Sequence, residues 1–241
     1  MTTTAIIVAA GSGSRFKSDI PKQFLEINGK PVIVHTLERF QAAPSVDSII
    51  LVLPEEHFDS PLTILPSFSK LAVLARGGST RAESVLNGLS VASLDEGTRF
   101  VLVHDGARPL VTVDEIERTI AMAKETGAAC LVAPVTDTIK SVRGGEIADT
   151  LDRERLRRAL TPQVFKIEVL LRAFTPGSTT TEVTDECYLV EKLGHPIGIV
   201  EGSPRNIKIT HPEDLILAEA LLNSELETDN SKLVTKLEAR S

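Results

Sequence analysis

The chain has 241 residues, 42% apolar and 24% charged, which is enough to bury a sizeable core in what is most simply one domain. Its 26 Lys+Arg against 33 Asp+Glu give a formal charge of −7, which argues against a general nucleic-acid or anionic-membrane surface, so any anion site must be a local cluster of cations. The two cysteines, Cys130 and Cys187, lack metal-ligand spacing and read as structural thiols, and no apolar run approaches the roughly 20 residues of a membrane helix, so a cytoplasmic location is expected.

In chain order, the first apolar run is AIIVAA at 5–10, followed by a helical pattern at 31–40. Then come SIILVL at 48–53 and LAVLA at 71–75. A helix with Val85, Leu89 and Ala92 on one face follows, then FVLVHD at 100–105 and a helix marked by Ile116, Ile120 and Ala123. ACLVAP at 129–134 and PIGIV at 196–200 complete the series. The β-branched runs lack alternation, as expected of strands covered on both faces. Thr-x-x-Glu capping boxes are predicted at Thr80 with Glu83, Thr112 with Glu115 and Thr210 with Glu213. Helix following strand this regularly predicts a three-layer, doubly wound, mostly parallel α/β sheet.

One segment breaks the rhythm. TIKSVRGGEIADTLD at 138–152 reads as two short strands around Gly144-Gly145, a hairpin that is marginal alone and is expected to pack on something else, such as a second subunit, with a solvated excursion of a single chain as the plain alternative. A single domain is expected over 1–225, with this arm at about 137–153 and a polar tail at 226–241.

Ligands of open α/β sheets bind beyond the carboxyl ends of the strands. The loop GSGSRFKSDIPKQ at 11–23 nearly fits a dinucleotide fingerprint and a P-loop, but both need glycine at position 16, where Phe16 stands. What remains is a glycine loop with Gly11 and Gly13, followed by Arg15 and Lys22, two cations able to hold a triphosphate. RGGSTRAES at 76–84 offers a second close-approach backbone, with an ordinary strand-to-helix turn as the plain alternative. VHDGARP at 103–109 sets Asp105 at a strand end beside a cation, where it can ligate Mg²⁺ or cap the turn. His104 reads as structural. No histidine pair has metal spacing, and neither a G-x-S-x-G elbow nor a Cys-His arrangement suggests a covalent nucleophile.

The ordered motifs AAGSGSRFKSDIPKQFLEINGKPVIVHT, GGSTRAESVLNGL, VHDGARPL, APVTDTIK, LTPQVF, VTDE and NIKITHPEDL, from about residue 4 to 222, resemble the 2-C-methyl-D-erythritol 4-phosphate cytidylyltransferases of the non-mevalonate isoprenoid pathway. The resemblance implies a nucleotide-diphospho-sugar transferase-like fold and transfer of CMP from CTP to a small polyol phosphate. It implies that Arg15 and Lys22 bind the CTP phosphates and stabilise charge at the α-phosphate. Asp105 would hold Mg²⁺ or another divalent cation. Ala9, Ala10, Gly11, Gly13, Gly78, Arg81 and Ser84 would form the CTP site, the backbone of Ala9, Ala10 and Gly78 with Ser84 reading cytosine. Lys208 would hold the acceptor's phosphate, together with Arg153 from the partner subunit of a homodimer formed through the arm. Arg108, Thr138, Thr161 and Thr184 would line the acceptor pocket.

Arg153 also belongs to a basic cluster with Arg155, Arg157 and Arg158, which could serve an interface instead. Arg205 precedes Asn206 where an acidic residue could have supplied a second metal ligand, so a single carboxylate completed by phosphate oxygens is expected. Ribitol 5-phosphate is the alternative acceptor within the fold. An NAD-type oxidoreductase and a non-catalytic nucleotide-binding scaffold are the alternatives from other classes.

Overall fold

A computed structural model describes residues 2–11, 16, 21–58, 68–175 and 183–224. Its strands are β1 (Thr2–Val8), β2 (Glu26–Ile27), β3 (Lys30–Pro31), β4 (Ser48–Leu53), β5 (Leu71–Arg76), β6 (Thr98–Asp105), β7 (Ala128–Pro134), β8 (Lys140–Arg143), β9 (Glu146–Thr150), β10 (Arg157–Lys166) and β11 (Gly198–Glu201). The helices are α1 (Val32–Ala42), α2 (Glu55–Phe58), α3 (Arg81–Ala92), α4 (Val113–Thr126), α5 (Ile167–Ala173), α6 (Glu186–Lys192) and α7 over 212–224. All six apolar runs carry strands, although the first begins at Thr2 and stops at Val8 rather than spanning 5–10, and the last occupies Gly198–Glu201 rather than 196–200.

Seven strands form one sheet in the order β11-β7-β10-β6-β1-β4-β5, parallel except for β10, which pairs antiparallel with both β6 and β7. The chain moves outward from β1 through β4 to β5, then returns to lay β6 on the other side of β1. This reversal opens a crevice at the carboxyl ends of β1 and β6, where open α/β sheets bind ligands.

Burial on both faces explains the unbroken apolar strands. In β1, Ala5 and Ile7 face the layer containing α1 and α4, while Ile6 faces the layer containing α3, α5 and α6. In β6, Phe100 and Leu102 take the first side, and Val101 and Val103 the second. Each such Val, Leu, Ile or Phe, removed from water, contributes roughly 1.5–3 kcal/mol. Cys130 and Cys187 are buried in the second layer as free thiols. The hydrogen bond that the Cys187 thiol makes with Cys130, and then burial, push that thiol up, which disfavours its reactive thiolate.

The three capping boxes meet different fates. Thr112 and Glu115 form the full reciprocal box at the start of α4. Thr80 caps α3 by accepting from the Glu83 amide at 3.0 Å, and the Glu83 carboxylate also accepts from the amide and hydroxyl of Ser79, both at 2.6 Å. Those Ser79 contacts lower the Glu83 pKa. The Thr210–Glu213 box does not form. Asp214, one residue further on, accepts from the amides of Thr210 and His211 at 2.7 and 2.8 Å, because Pro212 occupies the first helical position and shifts the acidic partner by one.

The hairpin arm is present as β8 and β9, turned at Gly144 and Gly145 with φ of 61° and 85°, the pair of positive angles that a two-residue hairpin loop demands. Val142 and Ile147 on it are 66% and 68% exposed. No helix among the described residues is long and apolar enough to cross a membrane.

Candidate active site

The crevice holds a cavity of about 380 Å³. Five chain segments line it, three of them at the ends of β1, β5 and β6. The end of β1 supplies Val8 to Gly11; the β5–α3 loop supplies Gly78 to Arg81, with Ser84; and β6 ends in Asp105. Backbone hydrogen bonds stitch them together: Ala9 N to Val52 O at 2.9 Å, Gly77 N to Leu53 O at 2.7 Å, and Gly106 N to Val8 O at 2.8 Å. Gly77 lies so close to the chain that a Cβ there would collide with the Ala10 methyl, so the glycine is what lets this loop approach β1. The amino end of α3 opens onto the cavity and favours an anion.

Ser84 is used by the loop itself. Its hydroxyl accepts from the Gly78 amide at 3.0 Å and donates to the Thr80 carbonyl at 2.9 Å, fixing the backbone that faces the cavity. Gln23 does the same for the first loop. Its buried carboxamide donates to the carbonyls of Ala9 at 2.5 Å and Gly11 at 3.3 Å. Beside it the Lys22 ammonium donates to the Ile209 carbonyl at 2.6 Å, so the turn at 22–24 and the strand-like segment around Lys208 share one wall.

Asp105 is the electrostatic centre. Oδ1 meets Arg81 Nε at 3.0 Å, while Oδ2 meets Arg108 Nε at 3.1 Å and Lys208 Nζ at 3.0 Å. Burial opposes its ionisation, yet Arg81, Lys208 and Arg108 outweigh burial and hold the carboxyl well below the usual 3.8. Burial likewise works against the Arg81 guanidinium, and the carboxylates of Glu186 and Asp105 overcome it and keep Arg81 charged. Arg108 also donates to the Asn206 carbonyl at 2.9 Å, tying the N-I-K segment to the end of β6.

Behind Asp105 lies a directional chain. The Arg108 carbonyl can only accept, so His104 Nε2 carries the proton to it at 3.2 Å, leaving Nδ1 to accept from the Thr161 hydroxyl at 3.0 Å. That hydroxyl in turn accepts from the Asp105 amide at 3.2 Å. Burial, the largest influence, pushes the His104 pKa down to about 3, consistent with a neutral ring. The unfolded chain, protonating near 6.5, therefore binds one more proton than the fold between about pH 3 and 6.5, and stability must fall as pH drops through that window. The slope from this residue is at most about 1.4 kcal/mol per pH unit. His104→Gln, which keeps one donor and one acceptor, should flatten the slope in urea unfolding measured from neutral pH into this range; an unchanged slope would assign the proton to another group.

Of the residues singled out by sequence, Ala9, Ala10, Gly11, Lys22, Gly78, Arg81, Ser84, Asp105 and Lys208 share this cavity. Arg108 stands just behind Asp105. Thr161 is a correction. At 3% exposure it lies beneath Asp105 and supports it rather than lining the pocket, because the antiparallel β10 carries it into the sheet. Thr138 and Thr184 are exposed, as is Arg153, which donates to the Thr136 carbonyl at 2.9 Å. Gly13 and Arg15 lie outside the described residues. Gln23, Glu186 and Thr210 were missed by sequence reasoning. Gln23 directly follows Lys22, and Glu186 is the last residue of VTDE, so each had its signal in a quoted motif. Phe16 packs against the cluster of Ile27, Val32 and Ala107, an apolar anchor where a phosphate-wrapping loop would need glycine.

Among the described residues no group of three or more His, Cys, Asp or Glu gathers to hold a metal. A single carboxylate such as Asp105 nevertheless suits Mg²⁺, which keeps waters and shares one or two carboxylates with substrate phosphates. The donor set therefore fits, provided Lys208 yields Oδ2.

A parallel sheet reversed at β1, with a cation-lined cavity around one ionised carboxylate at the strand ends, defines an α/β nucleotidyltransferase-like protein. The family model described as IspD, 2-C-methyl-D-erythritol 4-phosphate cytidylyltransferase, matches residues 3–224. The chain belongs to this family. It is 40% identical over 233 residues to the 2-C-methyl-D-erythritol 4-phosphate cytidylyltransferase of Bacillus licheniformis, covering 95% of this chain and 100% of that one. It is 43% identical over 223 residues, 92% of its length, to a bifunctional IspD/IspF enzyme of Desulfotalea psychrophila, of which it spans 57%. Among solved structures, the 4-diphosphocytidyl-2C-methyl-D-erythritol synthase of Anaerococcus prevotii superposes with a TM-score of 0.81 at 30% identity, covering 92% of this chain and 96% of that one. The Thermus thermophilus cytidylyltransferase gives 0.75 at 34% identity, with coverages of 92% and 98%.

Proposed function

We propose that this chain transfers CMP from CTP to 2-C-methyl-D-erythritol 4-phosphate, releasing pyrophosphate, as a cytoplasmic homodimer working with Mg²⁺. The observation that carries the reading is the single cavity in which Lys22, Arg81, Lys208 and Asp105 meet the backbone of Ala9, Ala10 and Gly78. A phosphate oxygen of the acceptor attacks the α-phosphorus of CTP, a new P–O bond forms, and the bond to the pyrophosphate oxygen breaks. The attacking oxygen is already anionic, so no enzyme nucleophile is required. The task left to the protein is to bring two repelling anions together and to neutralise charge as it builds.

Lys22, with Arg15 from the same loop, neutralises charge at the α-phosphate. Lys208 takes the acceptor's phosphate, exchanging it for its contact with Asp105. The backbone of Ala9, Ala10 and Gly78 reads cytosine, and Ser84 acts through the loop it holds. Bound at Asp105, Mg²⁺ would supply further neutralisation of the triphosphate. The test is pyrophosphate release from CTP and Mg²⁺, with methylerythritol phosphate and ribitol 5-phosphate as parallel acceptors. Turnover should favour the former; preference for ribitol phosphate would change the acceptor, and silence with both would sink the reading.

The dimer is supported by the arm, whose exposed Val142 and Ile147 would be covered by a second copy. Arg153, at the arm's base, would then face the partner's acceptor site. Sedimentation velocity should give a dimer, shifted toward monomer in a Val142→Asp, Ile147→Asp double variant; a monomeric parent chain would remove the arm's assigned role.

A further inference from the structure

Glu186 is a charged group of this neighbourhood to which the reaction scheme gives no part. It is fully buried, and its carboxylate takes the fork of Arg81, with Nη1 to Oε1 at 2.6 Å and Nη2 to Oε2 at 3.1 Å. Held in this orientation, Arg81 reaches Asp105 through Nε alone, at 3.0 Å. Capping α6 does not require this carboxylate, because Asp185 already accepts from the Tyr188 amide at 3.0 Å. Burial pushes the Glu186 carboxyl up and the Arg81 guanidinium pulls against it, so the contact with Arg81 is what offsets the burial of this charge.

A guanidinium binds a carboxylate most strongly through two parallel N–H···O bonds. Two carboxylates here compete for one guanidinium, and Glu186 holds the paired Nη1–Nη2 edge. Without it, the side chain of Arg81, which is 23% exposed and borders the cavity, would be free to turn that edge onto Asp105. Asp105 would then be held by a bidentate arginine in addition to Arg108 and Lys208, and would exchange partners less readily.

We propose that Glu186 is a positioning residue: by occupying the paired edge of Arg81 it confines that arginine to one contact with Asp105 and keeps the Asp105 carboxylate available to a divalent cation carried with CTP. This rests on the reading that Asp105 works on a metal–triphosphate. The residue acts through Arg81 and touches neither substrate nor metal.

The test separates metal affinity from nucleotide affinity. In Glu186→Gln the affinity of the protein–CTP complex for Mn²⁺, followed by the electron paramagnetic resonance of the free ion, should fall about ten-fold, the usual scale for residues that orient a metal ligand. The Mg²⁺ concentration giving half-maximal rate should rise in parallel. Calorimetric affinity for CTP in the presence of a chelator should hold or tighten, since the pocket has lost a negative charge. A residue that merely supports the fold would weaken metal-free CTP binding as well, and that outcome, or an unchanged metal affinity, overturns the proposal. Glu186→Met, of similar length, carries the same measurement if the glutamine variant does not fold. Pyrophosphate release by the unmodified chain is measured alongside: if it is absent the functional reading fails, whereas an active parent with an indifferent Glu186→Gln fails this inference alone.

Discussion

Lys22→Ala is expected to lower kcat by roughly 10²–10³-fold with a smaller change in the Michaelis constant for either substrate, the usual cost of removing one preorganised charge from a site where charge develops. The reason is placement. Lys22 opens a short 3-10 turn after Pro21, its neighbour Gln23 is buried and bonded to the β1 loop, and its ammonium is fixed on the Ile209 carbonyl at 2.6 Å. An ammonium so held needs little reorganisation as negative charge grows on the α-phosphate. Lys208 is held differently. Its ammonium sits on Asp105 Oδ2 at 3.0 Å with 32% of its side chain exposed, and in the proposed role would have to change partners to take the acceptor. Lys208→Ala should therefore raise the KM for methylerythritol phosphate more than it lowers kcat. Steady-state kinetics with both substrates varied would check the pair; equal changes of kcat and KM in both variants would remove this division of labour.

The central sheet was legible because its apolar runs have no other place to go. Runs such as SIILVL and FVLVHD can be unbroken only if both faces are covered, and the layers on either side of β1 and β6 do cover them. β10 was not legible. RRALTPQVFK carries two arginines and a proline, and it is buried without alternation only from Leu160 to Phe165, so no periodicity marks it as a strand between β6 and β7. Its placement depends on antiparallel partners distant in sequence, and with it went the location of Thr161. The missed box at Thr210 has a local cause: Glu213 is correctly spaced from the threonine, but Pro212 sets the helix start and gives the cap to Asp214.

The site divides along the same line. Gly11 and Gly78 lie in the loops just beyond β1 and β5, and Asp105 ends β6, strands that the sequence marks clearly, so their convergence follows from the topology alone. Glu186 lay within the quoted VTDE motif, but its part was not legible because an acidic residue in the first turn of a helix is ordinarily read as favouring the helix dipole. Only the packing of α6 against the neighbourhood of Arg81 shows the carboxylate facing inward on a guanidinium.

Asp105→Asn is expected to have the broadest effect, because one carboxylate answers three cations. The amide retains the shape but leaves Arg81, Arg108 and Lys208 without their shared counter-charge, and its NH₂ group repels the donors it faces. Activity should fall by about 10³-fold, with stability reduced by about 3 kcal/mol, the order seen when one partner of a buried ion pair is removed. The sign of the pH dependence follows from the depressed pKa. The folded carboxyl titrates well below 3.8 and the unfolded one near that value, so the contribution of Asp105 is complete above the unfolded pKa and is lost as pH falls through the folded one. Urea unfolding at neutral pH should thus show the full deficit, shrinking in strong acid. CTP binding in a chelator provides the decisive contrast: with one negative charge removed from a cavity that already holds Lys22, Arg81 and Lys208, metal-free affinity should hold or tighten while turnover collapses. Loss of both together would mean that Asp105 shapes the nucleotide pocket rather than carrying charge within it.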